Sequence, residues 1–79
     1  MYLIAYDITD PRRLHRTARA LKRYGRRVQK SLFEADISRS QCKTLCRDLS
    51  ALCREGDRIT VYFLPGNPLK EEINEIKKQ

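Results

Sequence analysis

Carboxylates are the first side chains of this sequence that could carry chemistry. Two of them have a local explanation, because Asp10 precedes a proline and can cap a helix, while Asp57 follows a glycine in a turn. Three others, Asp7, Glu34 and Asp36, belong to stretches with the composition of strands. Asp7 ends the run YLIAYD, where a strand would otherwise favour an apolar residue. It is therefore either a strand end that reaches water or a residue held there for its charge.

A Mg²⁺ site is the chemistry that the second interpretation implies. The ion prefers oxygen ligands and keeps several of its waters, but one carboxylate per chain is a thin ligand set. Two copies of Asp7 meeting across a two-fold axis would make a better site, with a cation or a proton between them to offset their repulsion. The residues alone leave both interpretations open.

Basic residues dominate the next part of the chain. The formal net charge is +7, and no acidic residue occurs between Arg12 and Lys30. Such a block attracts polyanions, above all nucleic acid. The alternative is a solvated basic face without a partner, and the small apolar face of this segment disfavours binding to an anionic membrane. The candidate nucleic-acid ligands are Arg12, Arg13, Arg16, Arg19, Arg23, Arg26 and Arg27.

The cysteines and the single histidine offer less chemistry. Cys42, Cys46 and Cys53 fall on the inner stripe of one predicted helix, a spacing that does not match zinc sites, so we interpret them as small buried hydrophobic residues. Their odd number predicts no disulfide framework and fits a reducing cytoplasm. His15 is predicted to be exposed among the arginines. We expect no signal peptide and no membrane-spanning segment.

The elements that would position these residues follow from periodicity and capping signals. Tyr2–Ile8 has the composition of a strand, with apolar residues on both faces. Asp10 and the proline after it begin a helix that runs to about Tyr24, with Gly25 as the stop signal. Its apolar stripe is Leu14, Ala18 and Leu21, and its opposite, basic side is Arg12, Arg16, Arg19 and Arg23.

The second half of the chain also has the composition of strand, helix and strand. Arg26–Ile37 reads as one bent strand or two short ones, without a glycine or proline to mark a turn. Ser38, with a glutamine three residues later, has the capping-box signature of a second helix, which continues to about Arg54. Asp57–Leu64 is the last clear strand. Residues 66–79 form a separate tail that is predicted to be helical from its leucine and isoleucine spacing.

Residues 1–65 are therefore predicted to form one α+β domain. If the middle stretch is two strands, the order is βαββαβ, the ferredoxin-like arrangement, in which both helices cover one face of an antiparallel sheet. The first strand is apolar on both faces, so the other face needs a cover as well. A second copy of the chain is the economical answer, which predicts a homodimer.

Three segments resemble one known family. The runs YLIAYDITDPRR, YGRRVQKSLFEADIS and RITVYFL, in this order and spacing, are similar to CRISPR-associated protein 2 over residues 1 to about 64. The family consists of small basic proteins of the bacterial and archaeal spacer-acquisition machinery. The resemblance implies a ferredoxin-like homodimer with facing sheets and a Mg²⁺ ion shared between the Asp7 residues of the two chains.

The resemblance also implies an activity, its substrates and the residues involved. Members are described as metal-dependent endonucleases of RNA or DNA, and the positions tied to activity correspond here to Tyr6, Asp7, Arg16, Arg27 and Phe33. In the enzyme hypothesis, Arg16 and Arg27 hold phosphates while Tyr6 or Phe33 shapes the cleft. Members also bridge dimers of CRISPR-associated protein 1, the integrase that inserts spacers.

Two other functions stay open beside the enzyme hypothesis. The protein could be a non-catalytic scaffold that holds a short duplex by its backbone and docks the integrase, which the basic helix supports directly. It could also be a toxin-like ribonuclease on the same fold. One segment departs from the family, because many members continue into a short strand that pairs with the partner subunit, whereas the tail here favours a helix.

Overall fold

The computed structural model describes residues 1–65 of the 79-residue chain. The predicted helical tail, residues 66–79, lies outside the described residues. The elements are β1 (Tyr2–Asp7), α1 (Pro11–Lys22), β2 (Arg26–Gln29), β3 (Leu32–Ala35), α2 (Arg39–Leu52) and β4 (Arg58–Phe63). The stretch that sequence left as one or two strands is thus a hairpin of two, and the βαββαβ order is confirmed.

The four strands form one antiparallel sheet in the order β2-β3-β1-β4. In the central strand, Ile4 lies opposite Phe33 on one side and Val61 on the other. β2 and β3 are joined by a two-residue turn, and the register between them shifts in the way typical of a β-bulge. Lys30 and Ser31 make this turn, without the glycine or proline that usually signals a turn in a sequence.

The hydrophobic core lies between the sheet and both helices. Leu21 of α1 and Leu45 of α2 are 1% and 0% exposed and belong to the same cluster as Ile4 and Phe33. The predicted apolar stripe of α1 is confirmed, with Ala18 and Leu21 buried and Leu14 packed at the margin. The remaining core residues are Tyr2, Tyr6, Ile8, Ala35, Cys42 and Leu49. Of the three cysteines only Cys42 is buried, and the other two are half-buried.

Capping residues begin both helices as the sequence predicts. The Asp10 carboxylate accepts a hydrogen bond from the Arg13 backbone N–H at 2.9 Å. Ser38 and Gln41 form the full capping box, with bonds of 3.1 Å and 2.9 Å. Both helices end earlier than predicted, α1 at Lys22 and α2 at Leu52.

Gly25 does not stop α1 in the predicted way. Among the residues that the structure describes, the positive-φ glycine is Gly56, not Gly25. A Cβ atom at Gly25 would instead lie 2.0 Å from the carbonyl oxygen of Glu34, a distance at which no side chain fits. Gly25 is therefore required because the chain leaving α1 passes directly against β3.

The second face of the sheet is not covered by a helix of residues 1–65. Leu3 and Leu32 lie on it, outside the core cluster, and still are only 2% and 7% exposed. Tyr62, opposite Leu3 on β4, is 53% exposed. We call this surface the open face. No helix in this part of the chain is long and apolar enough to cross a bilayer.

Candidate nucleic-acid interface

Asp7 is the last residue of β1, and its exposed side chain lies on the open face. Side chains alternate between the faces of a strand, so Asp7 follows Leu3 and Ala5 onto the face without helices. Its partner in the β1–β4 register is Arg58. Among residues 1–65 the Asp7 carboxylate forms no hydrogen bond or ion pair, with Arg58 or with any other residue. It is therefore available to a ligand.

The nearby carboxylates have other partners. Asp10 caps α1, the carboxylate of Asp57 is bound by Arg13, and Glu34 forms an ion pair with Arg26. Within residues 1–65 no three His, Cys, Asp or Glu side chains are grouped as a metal site. The oxygen donor of Asp7 fits Mg²⁺ in chemical type, but one chain supplies one carboxylate. A second carboxylate ligand would have to come from the Asp7 of a second copy.

Tyr6, Arg27 and Phe33 form one cluster at the end of the sheet where β2 turns into β3. The Tyr6 hydroxyl donates to the carbonyl of Lys30 at 3.0 Å and lies 3.5 Å from a terminal nitrogen of Arg27. The Arg27 guanidinium also lies 5.5 Å from the centre of the Phe33 ring. One exposed arginine thus contacts two buried aromatic side chains.

The five residues implied by the family resemblance are not all brought together. Tyr6 and Phe33 are 4% and 1% exposed and lie on the helix-covered face, whereas Asp7 lies on the open face. Arg27 shares the face of Phe33, its register partner, and Arg16 lies on the outer side of α1. Asp7 is therefore separated by the sheet from the Tyr6–Arg27–Phe33 cluster.

The outer side of α1 carries an exposed row of arginines, which we call the basic ridge: Arg12, Arg16, Arg19 and Arg23. At about 1.5 Å per residue the ridge is about 16 Å long, enough to follow several phosphates of a nucleic-acid backbone. A shallow groove between the helices is lined by Arg16, Arg19 and Arg23, with Asp48 on the side of α2. His15 is exposed beside the ridge, as predicted.

Arg13 and Arg26 differ from the ridge because each is bound to a carboxylate. Arg13 donates to both oxygens of Asp57 at 2.8 Å and 3.2 Å, and the Asp57 side chain is only 2% exposed. These hydrogen bonds hold the pKa of Asp57 below its usual value and raise that of Arg13. Arg26 is bound by Glu34 on the open face. Both arginines are candidate nucleic-acid ligands by sequence, and the fold gives them structural partners.

Sequence reasoning misses the role of Asp57 and the position of Arg58. The sequence identifies Asp57 only as a turn residue, but it also accepts from the Arg54 backbone N–H at 2.9 Å and so joins the ends of α1, α2 and β4. Arg58 is absent from the predicted site, because its proximity to Asp7 depends on the register of β4 against β1. No sequence signal gives this register, so the sequence alone does not place Arg58 beside Asp7.

Comparisons with known proteins agree with this architecture. The family model described as CRISPR associated protein Cas2 matches residues 1–72. A protein of Thermus thermophilus named CRISPR-associated endoribonuclease Cas2 is 49% identical over 67 residues, covering 82% of this chain and 71% of its own. A Synechocystis protein named CRISPR-associated endoribonuclease Cas2 3 is 40% identical over 72 residues, covering 90% and 78%.

A solved structure extends the match to the fold. The crystal structure of Streptococcus pyogenes Cas2 at pH 6.5 superimposes with a TM-score of 0.74 at 30% identity, covering 80% of this chain and 83% of that one. The family model, the relatives and the fold point to the same assignment. The chain belongs to the CRISPR-associated protein Cas2 family.

Proposed function

We propose that this chain acts in CRISPR spacer acquisition as a nucleic-acid-binding homodimer that cleaves phosphodiester bonds of RNA or DNA with Mg²⁺. The observation that carries the proposal is the Asp7 carboxylate, exposed at a strand end and without a partner among the described residues. The relatives named endoribonuclease support hydrolysis and make RNA the first substrate to test. Family membership favours this setting over a toxin-like ribonuclease.

The homodimer is proposed from the open face. The exposed apolar surface of this face is the ring of Tyr62, which is 53% exposed, beside the nearly buried side chains of Leu3 and Leu32. An apolar sheet face without a helix over it is the kind of surface that a second copy buries. Facing sheets would bring the Asp7 carboxylates of the two chains toward each other. Sedimentation of a monomer at micromolar concentration would contradict this assembly.

Each residue of the proposed site has a separate task. The two Asp7 carboxylates would hold Mg²⁺, which when bound supplies positive charge that stabilises the scissile phosphate and activates water. Arg27 and Arg16 lie on the helix side of the sheet, so they would bind phosphates of the nucleic acid away from the scissile one, by charge-assisted hydrogen bonds. Because Tyr6 and Phe33 are buried and contact Arg27, we assign them the positioning of that guanidinium instead of contact with the substrate.

A second candidate function is a non-catalytic scaffold, which the basic ridge favours. Four exposed arginines on one helix would hold a duplex through its phosphates, without sequence preference and with strong dependence on salt. In this function the homodimer bridges two dimers of the integrase, CRISPR-associated protein 1, on the DNA to be inserted. Binding of this kind does not require Asp7.

Cleavage by matched variants separates the two functions. Single-stranded RNA and duplex DNA are incubated with wild type, Asp7→Ala and Asp36→Ala, in Mg²⁺ or in EDTA. Asp36 is the control because it is also an exposed aspartate just beyond a strand, at the opposite end of the sheet. We expect Asp7→Ala to lose roughly a hundredfold or more of the Mg²⁺-dependent rate, and Asp36→Ala to retain it.

Dimerisation and duplex binding are measured on the same samples. Loss of cleavage in Asp7→Ala, with both properties intact, supports the enzyme. Equal cleavage by all three proteins, or none by any, contradicts hydrolysis at Asp7 and leaves the scaffold as the function.

A further inference from the structure

Arg58 lies on the open face, on the strand next to Asp7 and directly opposite it. It is the first residue of β4, and the β1–β4 register pairs the two residues. Residues directly opposite in an antiparallel pair have their Cβ atoms about 5 Å apart on the same face. Both side chains are exposed, and no hydrogen bond or ion pair joins them. A guanidinium and a carboxylate thus stand side by side on the open face.

The backbone that carries Arg58 is held firmly. The preceding residue, Asp57, points to the other side of the strand and is 2% exposed. Its carboxylate accepts from the Arg13 side chain and from the Arg54 backbone N–H. The start of β4 is therefore tied to the first turn of α1 and to the residues that follow α2. This attachment fixes where Arg58 leaves the sheet relative to Asp7 and leaves its long side chain in solvent.

We propose that Arg58 binds a phosphate of the nucleic acid beside Asp7, as an additional substrate-binding residue of that site. The inference rests on the proposed function, since it requires nucleic acid at the Asp7 end of the sheet. A planar guanidinium can form two parallel hydrogen bonds to a phosphate. At this position it would also neutralise repulsion between the substrate and the Asp7 carboxylate. None of the residues implied by the family resemblance supplies a positive charge on this face.

A simple charge pair with Asp7 is the competing explanation for Arg58. Oppositely charged residues across two strands commonly pair, and such a pair serves only the fold. Here the two side chains form no ion pair with each other, and the Arg58 guanidinium has no hydrogen-bond partner among residues 1–65. Its charge is therefore available to a ligand.

A double-mutant cycle tests the proposal with a readout that does not depend on cleavage. The dissociation constant of a short single-stranded RNA is measured in EDTA for wild type, Arg58→Ala, Asp7→Ala and the double variant. Arg58→Lys tests whether charge alone suffices, and Arg47→Ala on α2 is the control for loss of one exposed arginine. Thermal unfolding of each variant checks the fold.

We expect Arg58→Ala to weaken RNA binding about tenfold, in the range for one charge-assisted hydrogen bond, with partial recovery in Arg58→Lys. Asp7→Ala should bind as tightly as wild type or more tightly, and the two substitutions should be non-additive because their side chains are neighbours. Equal affinities of Arg58→Ala and Arg47→Ala, or strict additivity in the cycle, would overturn the proposal.

Cleavage by the same variants distinguishes this proposal from the proposed function. If Asp7→Ala abolishes cleavage while Arg58→Ala binds and cleaves as wild type does, the Arg58 assignment fails alone. If Asp7→Ala cleaves normally but Arg58→Ala binds weakly with coupling to Asp7, hydrolysis at Asp7 fails and Arg58 stands as a phosphate-binding residue.

Discussion

The two helices pack on the same face of the sheet, yet their outer surfaces carry very different charge. Every charged residue of α1 is basic, and four arginines in and just after it form the ridge. The outer side of α2 mixes Lys43 and Arg47 with Asp48 and several neutral polar residues. Both helices meet the same requirement of the core with an apolar stripe. The charge of α1 is therefore not something that packing demands.

The ridge also carries a local cost to the helix. Like charges at i and i+4, such as Arg12 with Arg16 and Arg19 with Arg23, destabilise an isolated helix by about 0.2–0.5 kcal/mol per pair. Basic residues in the first turn oppose the helix dipole, and α1 has no acidic residue there. A polyanion bound along the ridge would relieve both effects. The comparison of α1 with α2 therefore supports the proposal that the ridge binds phosphates.

The largest effect should come from removing the ridge. The triple variant Arg12→Ala, Arg16→Ala and Arg19→Ala removes three of the four ridge arginines. We expect the plot of the logarithm of the association constant for duplex DNA against the logarithm of salt concentration to become less steep. The slope should change by about 0.9 for each phosphate that the protein no longer neutralises. The matched control removes the same charge from α2, at Arg39, Lys43 and Arg47. Fluorescence anisotropy across a salt series gives both slopes. Equal flattening in both triple variants would show general attraction by net charge and contradict the ridge.

A second test distinguishes the arginine of α1 that stabilises the fold, Arg13, from an arginine of the ridge, Arg12. Arg13→Ala removes both hydrogen bonds to the nearly buried carboxylate of Asp57, so we expect the midpoint of thermal unfolding to fall by several degrees. Its neighbour Arg12 is exposed, and Arg12→Ala should not lower that midpoint and should raise it slightly by removing the repulsion with Arg16, while weakening duplex binding. Differential scanning fluorimetry and anisotropy on the same samples compare the two. A shared phenotype would mean that both belong to one surface.

The smallest predicted effect is on the free energy of unfolding at acid pH. It comes from Asp57, whose carboxylate connects the start of α1 to the residues after α2. Its pKa is lowered in the folded state from the usual 3.8, chiefly by the Arg13 side chain and then by the Arg54 N–H. Between the folded and unfolded values the unfolded chain binds more protons, so this stabilisation is complete above the unfolded pKa and is lost as pH falls through the folded one.

Urea unfolding between about pH 5 and pH 3 measures this contribution. Asp57→Asn should reduce the loss of unfolding free energy over that interval, whereas Asp36→Asn at an exposed position should not. If Asp57→Asn loses as much unfolding free energy between these pH values as wild type does, other carboxylates account for the acid sensitivity.

Local sequence signals are sufficient for the two helices, for the first and last strands and for the ridge, but not for the division of the middle stretch into β2 and β3. Asp10 and Ser38 cap the helices through bonds to residues three positions away, and the apolar stripe of α1 follows directly from helical period. The predicted helix ends lie two residues too late. Gly25 does not stop α1 in the way that the sequence predicts, because its constraint is the close approach of the Glu34 backbone. Contacts between distant segments have no local signature.

What the sequence determined by itself are the positions of both helices and of the first and last strands, the amphipathic faces, the basic ridge and the placement of a carboxylate at the end of β1. These depend on the period of a helix or strand and on bonds between near neighbours. The division of residues 26–37 into two strands came from the structure. The tertiary structure decided that Asp7 and the Tyr6–Arg27–Phe33 cluster lie on opposite faces, that Arg13 is bound to Asp57, and that Arg58 faces Asp7. Those relations depend on strand register and on how the elements pack, which arise only when distant parts of the chain meet.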